Sequence, residues 1–163
     1  MSLETNVAHA TVQHVVSPDF SIESQAILAA AKQQAQHEGL RYAGDVTPEE
    51  AWQLFSTGAA QLVDVRTERE LKTVGYVPNA QHIEWLQGFK MTPNRSFLSD
   101  LAEITAPSAV VLLLCRSGKR SVAAAEAATA AGFQQVFNIL EGFEGDGRSG
   151  QGWLEHDLPA IEP

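Results

Sequence analysis

The chain has 163 residues, 44% of them hydrophobic, which is enough for one domain with a real core and an added segment. A formal net charge of -9 and a pI near 4.9 exclude the basic face that a nucleic-acid binder needs. One cysteine excludes a disulfide framework or a Cys-rich metal site, and the histidines at 9, 14, 37, 82 and 156 lack metal-ligand spacing, so neither metal nor cofactor is expected.

Met1 to Asn6 lacks the basic start and apolar run of a secretory signal, and no segment approaches the roughly 20 apolar residues of a membrane span. A cytoplasmic protein with no membrane partner is the expectation. Residues 1 to about 18 have no clear period and read as extended or partly disordered. From Ser21 to His37, Ile22, Ala26, Ala29, Ala30 and Gln33 recur at helical intervals and Gly39 ends the run, so a helix is expected there. Its apolar face, made of Ile22, Ile27, Leu28 and alanines, is weak. Residues 1–40 therefore read as an N-terminal extension whose helix packs on the surface or docks a partner, and residues 41–163 as the domain proper.

Thr47-Pro48-Glu49-Glu50 is a capping box with Pro at the first helical position, and the following helix buries Ala51, Trp52, Leu54 and Phe55 before Gly58. Gln61 to Val65 reads as a strand. Asp64 and Arg66 sit at its carboxyl end, where open α/β sheets gather ligand-binding groups, or else form an ion pair that fixes the crossover. Thr67 to Lys72 suits one helical turn. Gly75, Pro78 and Asn79 mark a loop, and Ala80 to Trp85 a short strand. His82, alone beside an apolar strand, reads as a packing residue rather than a base. Phe97, Leu98, Leu101 and Ile104 define one face of a helix within Pro93 to Ala106.

Ala109 to Leu114 is a continuous apolar run, the pattern of a strand buried on both faces. The alanine-rich stretch Ser121 to Ala131 suits a helix closed by Gly132. Between them lies Cys115-Arg116-Ser117-Gly118-Lys119-Arg120. This places the only thiol where a strand's carboxyl end meets a helix's amino end. Free N–H groups and the helix dipole converge there, and Arg116, Lys119 and Arg120 add positive charge, so the place favours a thiolate and an anionic substrate. Gly118 supplies a backbone that can curl around one sulfur. Gln135 to Leu140 is a further strand. Glu141 to Gly152 is a loop in which Phe143 walls the pocket or packs the loop, and Trp153, Leu154, Leu158 and Pro159 fasten the end.

These segments resemble the rhodanese family. Cys115 to Ser121 is similar to its active-site loop, Leu62-Val63-Asp64-Val65-Arg66 to its first core strand, Gly75 to Ile83 to its Gly-His-Ile-Pro-Gly-Ala segment, and Leu140-Glu141-Gly142-Phe143 to its late Leu-x-Gly-Gly turn. Tyr76, Asn79 and Glu141 depart from the pattern, while the cysteine loop stays whole. The resemblance implies an α/β three-layer fold with a central, mainly parallel five-stranded sheet flanked by helices.

It also implies a sulfurtransferase with Cys115 as nucleophile, carrying sulfane sulfur from a small anionic donor such as thiosulfate to a thiol, cyanide or a sulfur-accepting protein. Arg116, Ser117, Gly118, Lys119, Arg120 and Ser121 would bind substrate, with Arg120 holding the donor or else bracing the loop, and with Asp64, Arg66 and Phe143 behind them. A persulfide carrier or interaction module is the alternative. A phosphatase is disfavoured, because the oxyanion cradle of cysteine phosphatases puts Arg six positions after the cysteine, where this chain has Ser121.

Overall fold

The computed structural model describes residues 21–148 and 151–163. The stretch expected to be extended, 1 to 18, lies outside the described residues. Helix α1 (Ile22–Glu38) starts where the Ser21 side chain accepts the Ser24 N–H and stops at Gly39, whose φ of 68° is left-handed. Its buried face keeps the expected Leu28 and alanines but not Ile22. Ser24, Leu28, Ala31 and Ala35 point inward, at helical spacing, while Ile22 is 86% exposed.

Strand β1 (Gly44–Val46), unmarked in the sequence because it is only three residues long, receives α1. A side chain on Gly44 would collide with the Ala31 carbonyl, so the missing Cβ allows helix and strand to touch. Leu28 and Ala31 join a core cluster with Val46, Phe137 and Ile139. The helix packs against the sheet because its small face is narrow enough to reach the strand.

Helix α2 (Pro48–Ser56) begins with the expected capping box, in which Thr47 and Glu50 each accept the other's N–H. Strand β2 (Gln61–Asp64) leads to α3 (Glu68–Val74), two turns rather than one, because Thr67 and Glu70 form a second capping box. Strand β3 (Gln81–His82) is shorter than expected. The chain still bonds to the end of β2 through Ile83 N–H to Asp64 and Trp85 N–H to Val65, then turns into an unanticipated hairpin of β4 (Leu86–Gln87) and β5 (Thr92–Pro93). Helix α4 (Phe97–Ile104) precedes β6 (Val110–Leu114), α5 (Lys119–Ala130) follows it, and β7 (Gln135–Ile139) completes the sheet.

The five-stranded sheet is parallel throughout, in the order β1-β7-β6-β2-β3. All five residues of β6 are buried, as a central strand covered on both faces requires. Alternation splits them. Val110, Leu112 and Leu114 enter the cluster beneath α1 and α2, and Val111, Leu113 and then Cys115 enter the one shared with Ala124, Ala125 and Ala128 of α5. At about 2 kcal/mol per buried aliphatic side chain, these two clusters fix the height at which β6 ends and so where Cys115 stands. The C-terminal segment returns across the domain. Trp153 is fully buried, donates from Nε1 to the Pro159 carbonyl, and Ile161 pairs with Tyr76.

Candidate active site

Cys115 emerges from the central strand and α5 opens four residues later. Gly118 caps that helix with φ 103°, a conformation that strains residues bearing a Cβ, and in it the Gly118 N–H donates to Cys115 Sγ at 3.1 Å. Ser121, one turn into the helix, places its Oγ 3.1 Å from the same sulfur. No side chain caps α5, so its first-turn N–H groups are not occupied from within the helix's own start. Cys115 is only 1% exposed, yet its sulfur meets an amide and a hydroxyl rather than apolar packing alone.

The loop after β7 braces this arrangement from below. Phe143 N–H donates to the Cys115 carbonyl at 2.8 Å and Glu144 N–H to the Arg116 carbonyl at 3.0 Å. Gly142 has to be glycine, since a Cβ there would collide with both of those carbonyl groups, and its φ of 67° adds a second reason. Glu141 adopts φ 67° as well, at a cost of about 1 kcal/mol.

The basic residues divide sharply. Arg116 is exposed and pairs with Glu144 at 3.2 Å, and Lys119 is exposed on the rim. Arg120 is turned aside into a two-pronged bond with Glu70, at 2.7 and 2.8 Å. Burial opposes ionisation of Glu70, but hydrogen bonds from Arg120 and Thr67 outweigh it and hold the carboxyl at about 2. The bond to Glu70 in turn raises the Arg120 guanidinium.

Asp64 and Arg66 are almost fully buried and bound to each other, with Arg66 Nη2 2.7 Å from Asp64 Oδ2 and 2.9 Å from the Gly75 carbonyl. The Arg66 guanidinium lies 4.0 Å over the Phe143 ring. Both residues thus stand behind the loop, and Phe143, fully buried, packs beneath it. His82 Nε2 meets the Arg66 carbonyl at 2.7 Å and is spent on that contact.

Two cavities flank the loop and Cys115 lines neither. One, of about 510 Å³, runs between Arg116, Arg120, Glu70 and the hairpin residues Phe89 and Met91. The other, of about 560 Å³, is bounded by Ser117, Gly118, Lys119, Tyr42, Asp45 and Asn138. Sequence reasoning missed Glu70, Asn138, Asp45 and Tyr42. Thr67-Glu68-Arg69-Glu70 carries the same capping-box spacing as Thr47 to Glu50, and Asn138 interrupts an apolar run, so both left a trace. Asp45 left none. Among the described residues no group of three or more His, Cys, Asp and Glu could hold a metal ion, and no helix is long and apolar enough to cross a membrane.

A parallel α/β sheet that ends its central strand in a cysteine, gripped by the next helix's opening amide, defines a cysteine-loop protein. The rhodanese-like domain model matches residues 47–147, and the chain belongs to that family. The crystal structure of Rv0390 from M. tuberculosis superposes with a TM-score of 0.66 at 38% identity, covering 75% of this chain and 99% of that one. An uncharacterized protein of Rickettsia rickettsii, the RP600 homolog, is 35% identical over 108 residues, 65% of this chain and 86% of its own length. Thiosulfate sulfurtransferase GlpE of Haemophilus influenzae is 27% identical over 117 residues, 71% of this chain and 91% of its own.

Proposed function

We propose that the protein is a sulfurtransferase that carries sulfane sulfur on Cys115. The observation that carries this reading is the Gly118 amide donated to Cys115 Sγ at the start of an uncapped helix. In the forward step the thiolate attacks the outer sulfur of thiosulfate. The sulfur–sulfur bond of the donor breaks, sulfite leaves with its electron pair, and an anionic persulfide remains on Cys115. A thiol or cyanide then attacks the terminal sulfur and releases the thiolate, so no external oxidant or reductant is needed.

Amides at the opening of α5 stabilise the bound anionic sulfur, and Arg116 and Lys119 on the rim attract the donor's oxygens. Arg120 braces the loop through Glu70. The position where a phosphatase cradle needs a guanidinium is filled by buried Ser121, and the one arginine beside it is committed to Glu70, so tetrahedral phosphate finds no wrapping cation.

The test is the intact mass after exposure to thiosulfate. One added sulfur is expected, removed by cyanide and absent in Cys115→Ser, which keeps its fold; turnover retained in that variant would end the assignment. The near-complete burial of the sulfur favours a second reading, a carrier that yields its persulfide only to a fitted partner. Ping-pong steady-state transfer to cyanide separates the two, since a carrier loads but does not turn over.

A further inference from the structure

Behind the sulfur runs a chain of hydrogen bonds that the proposed reaction does not use. Tyr42 Oη donates to Asp45 Oδ1 at 2.8 Å, and Asn138 Nδ2 donates to the same oxygen at 3.0 Å. The carboxylate, an acceptor, fixes the Asn138 amide with its N–H₂ toward Asp45 and its oxygen toward Ser121. Ser121 Oγ donates to that oxygen at 2.6 Å. The hydroxyl has a single hydrogen, so toward Cys115 Sγ, 3.1 Å away, it presents a lone pair and receives the thiol proton. Burial and the Asp45 carboxylate raise the Tyr42 phenol, which stays a donor and keeps the polarity of the chain in one direction.

We infer that Asn138, oriented by Asp45, sets the direction of the Ser121 hydroxyl and thereby decides whether an anionic sulfur on Cys115 has a side-chain donor. In the resting state Ser121 serves Asn138 and favours the thiol. A thiolate or persulfide gains the hydroxyl only if it rotates, which leaves the Asn138 oxygen, in a side chain 2% exposed, without its donor. Asn138 and Asp45 are thus positioning residues on β7 and β1, and both border the 560 Å³ cavity. The inference takes Cys115 as the nucleophile of the proposed reaction but needs no turnover to be tested.

The other charges around the sulfur are Arg120 on α5, itself held by Glu70 on α3, Arg116 and Lys119 in the loop, the Asp64–Arg66 pair after β2, and Glu141 and Glu144 after β7. Asn138→Leu changes none of them. It removes the competing acceptor while keeping the same branched skeleton of heavy atoms, and frees Ser121 to donate to sulfur.

Because Cys115 is the only cysteine, thiolate absorbance in the ultraviolet can be followed against pH with Cys115→Ser as blank. Asn138→Leu is expected to move the thiolate profile down by about one pH unit, the tenfold effect of one hydrogen bond, and adding Ser121→Ala should erase that shift. A profile that stays or rises, or a shift that survives Ser121→Ala, overturns the inference. Should Asn138→Leu fail to fold, Asp45→Leu, which removes the Oδ1 that orients the Asn138 amide, decides. Loss of its charge alone moves the profile down, so the deciding quantity is the share lost on adding Ser121→Ala. Half or more supports the inference, and less than half overturns it. Failure of sulfur loading in wild type would instead count against the proposed function and leave this profile readable.

Discussion

Two neighbouring strands end side by side and meet opposite fates. Strands β2 and β6 pair in register, Asp64 against Leu114, and each runs into a short loop, a basic residue and a helix. At the end of β2 the buried ion pair closes locally. Asp64 holds Arg66, and Thr67 with Glu70 caps α3, so the helix's opening amides are taken. At the end of β6 no side chain caps α5, a left-handed glycine stands at the cap, and an opening amide goes to sulfur. The same topology makes a strut in one place and an anion site in the other, and what differs is whether the helix start is capped by its own side chains. Glu70 joins the two, capping α3 with one carboxylate while anchoring Arg120 of α5.

Removing one partner of the strut has the largest expected effect on stability. Asp64→Ala leaves the Arg66 guanidinium buried and unpaired beneath Phe143, in a side chain whose Nη1 already finds no hydrogen-bond partner among the described residues. A loss of about 3–5 kcal/mol in urea unfolding is expected, whereas Asp64→Leu with Arg66→Met together should cost far less, since no buried charge remains. A single variant as mild as the double one would show that the pair carries little of the structure.

The other end of the comparison breaks at Gly118. A Cβ there meets only Glu141 N at 3.6 Å, ordinary contact, so space is not the obstacle. The obstacle is φ 103°, which costs a residue with a Cβ about 1–2 kcal/mol. The loop of Gly118→Ala should relax and withdraw its amide from the sulfur. Stability then falls by that modest amount while the rate of persulfide formation falls about a hundredfold. Equal, small losses in both would mean that the amide is incidental to the chemistry.

The contrast between the two strand ends was only half legible in the sequence. The cysteine loop announced itself because its signal is local: an apolar run, one thiol, a glycine and three cations within six residues. Asp64 and Arg66 could be placed at a strand end, but whether they faced ligand or each other depends on burial, which two residues of spacing do not encode. Arg120 could be read as holding the donor or bracing the loop, but its partner stayed hidden, because nothing in its neighbourhood signals a carboxylate fifty residues earlier on another helix. The helix α1 face went astray at Ile22 for a related reason. Its partner Gly44 selects small residues, so Ser24, Ala31 and Ala35 are buried and the larger Ile22 is not, reversing the usual reading of apolarity. The hairpin of β4 and β5, with two residues in each strand, is too short to leave a period.

The bridge between the two ends can be sharpened by pH. In the folded chain the Glu70 carboxyl sits at about 2, against an ordinary 4.5, so as pH falls the unfolded chain takes up its proton first. Stability from this group is whole above about 4.5 and fades toward about 2. Glu70→Gln should abolish that part of the acid sensitivity, narrowing the difference between urea midpoints at about pH 3 and about pH 6 by the equivalent of about 1 kcal/mol. An unchanged difference would mean that the bond to Arg120 does not stabilise the fold in water.

The smallest effect belongs to the rim. Lys119 is exposed and takes no part in gripping the sulfur, so its contribution to the open end is limited to long-range attraction of a dianionic donor. Lys119→Ala should raise KM for thiosulfate about threefold, leave kcat nearly alone, and have less effect on KM for an uncharged sulfane donor. Added salt should weaken thiosulfate binding in the wild type and reduce the gap between the two proteins, because screening removes from one what the substitution has removed from the other. Equal effects on charged and uncharged donors would reject that electrostatic role. They would instead place Lys119 among the residues that shape the start of α5, which would make the uncapped helix start, rather than the cations around it, the whole of what distinguishes the end of β6 from the end of β2.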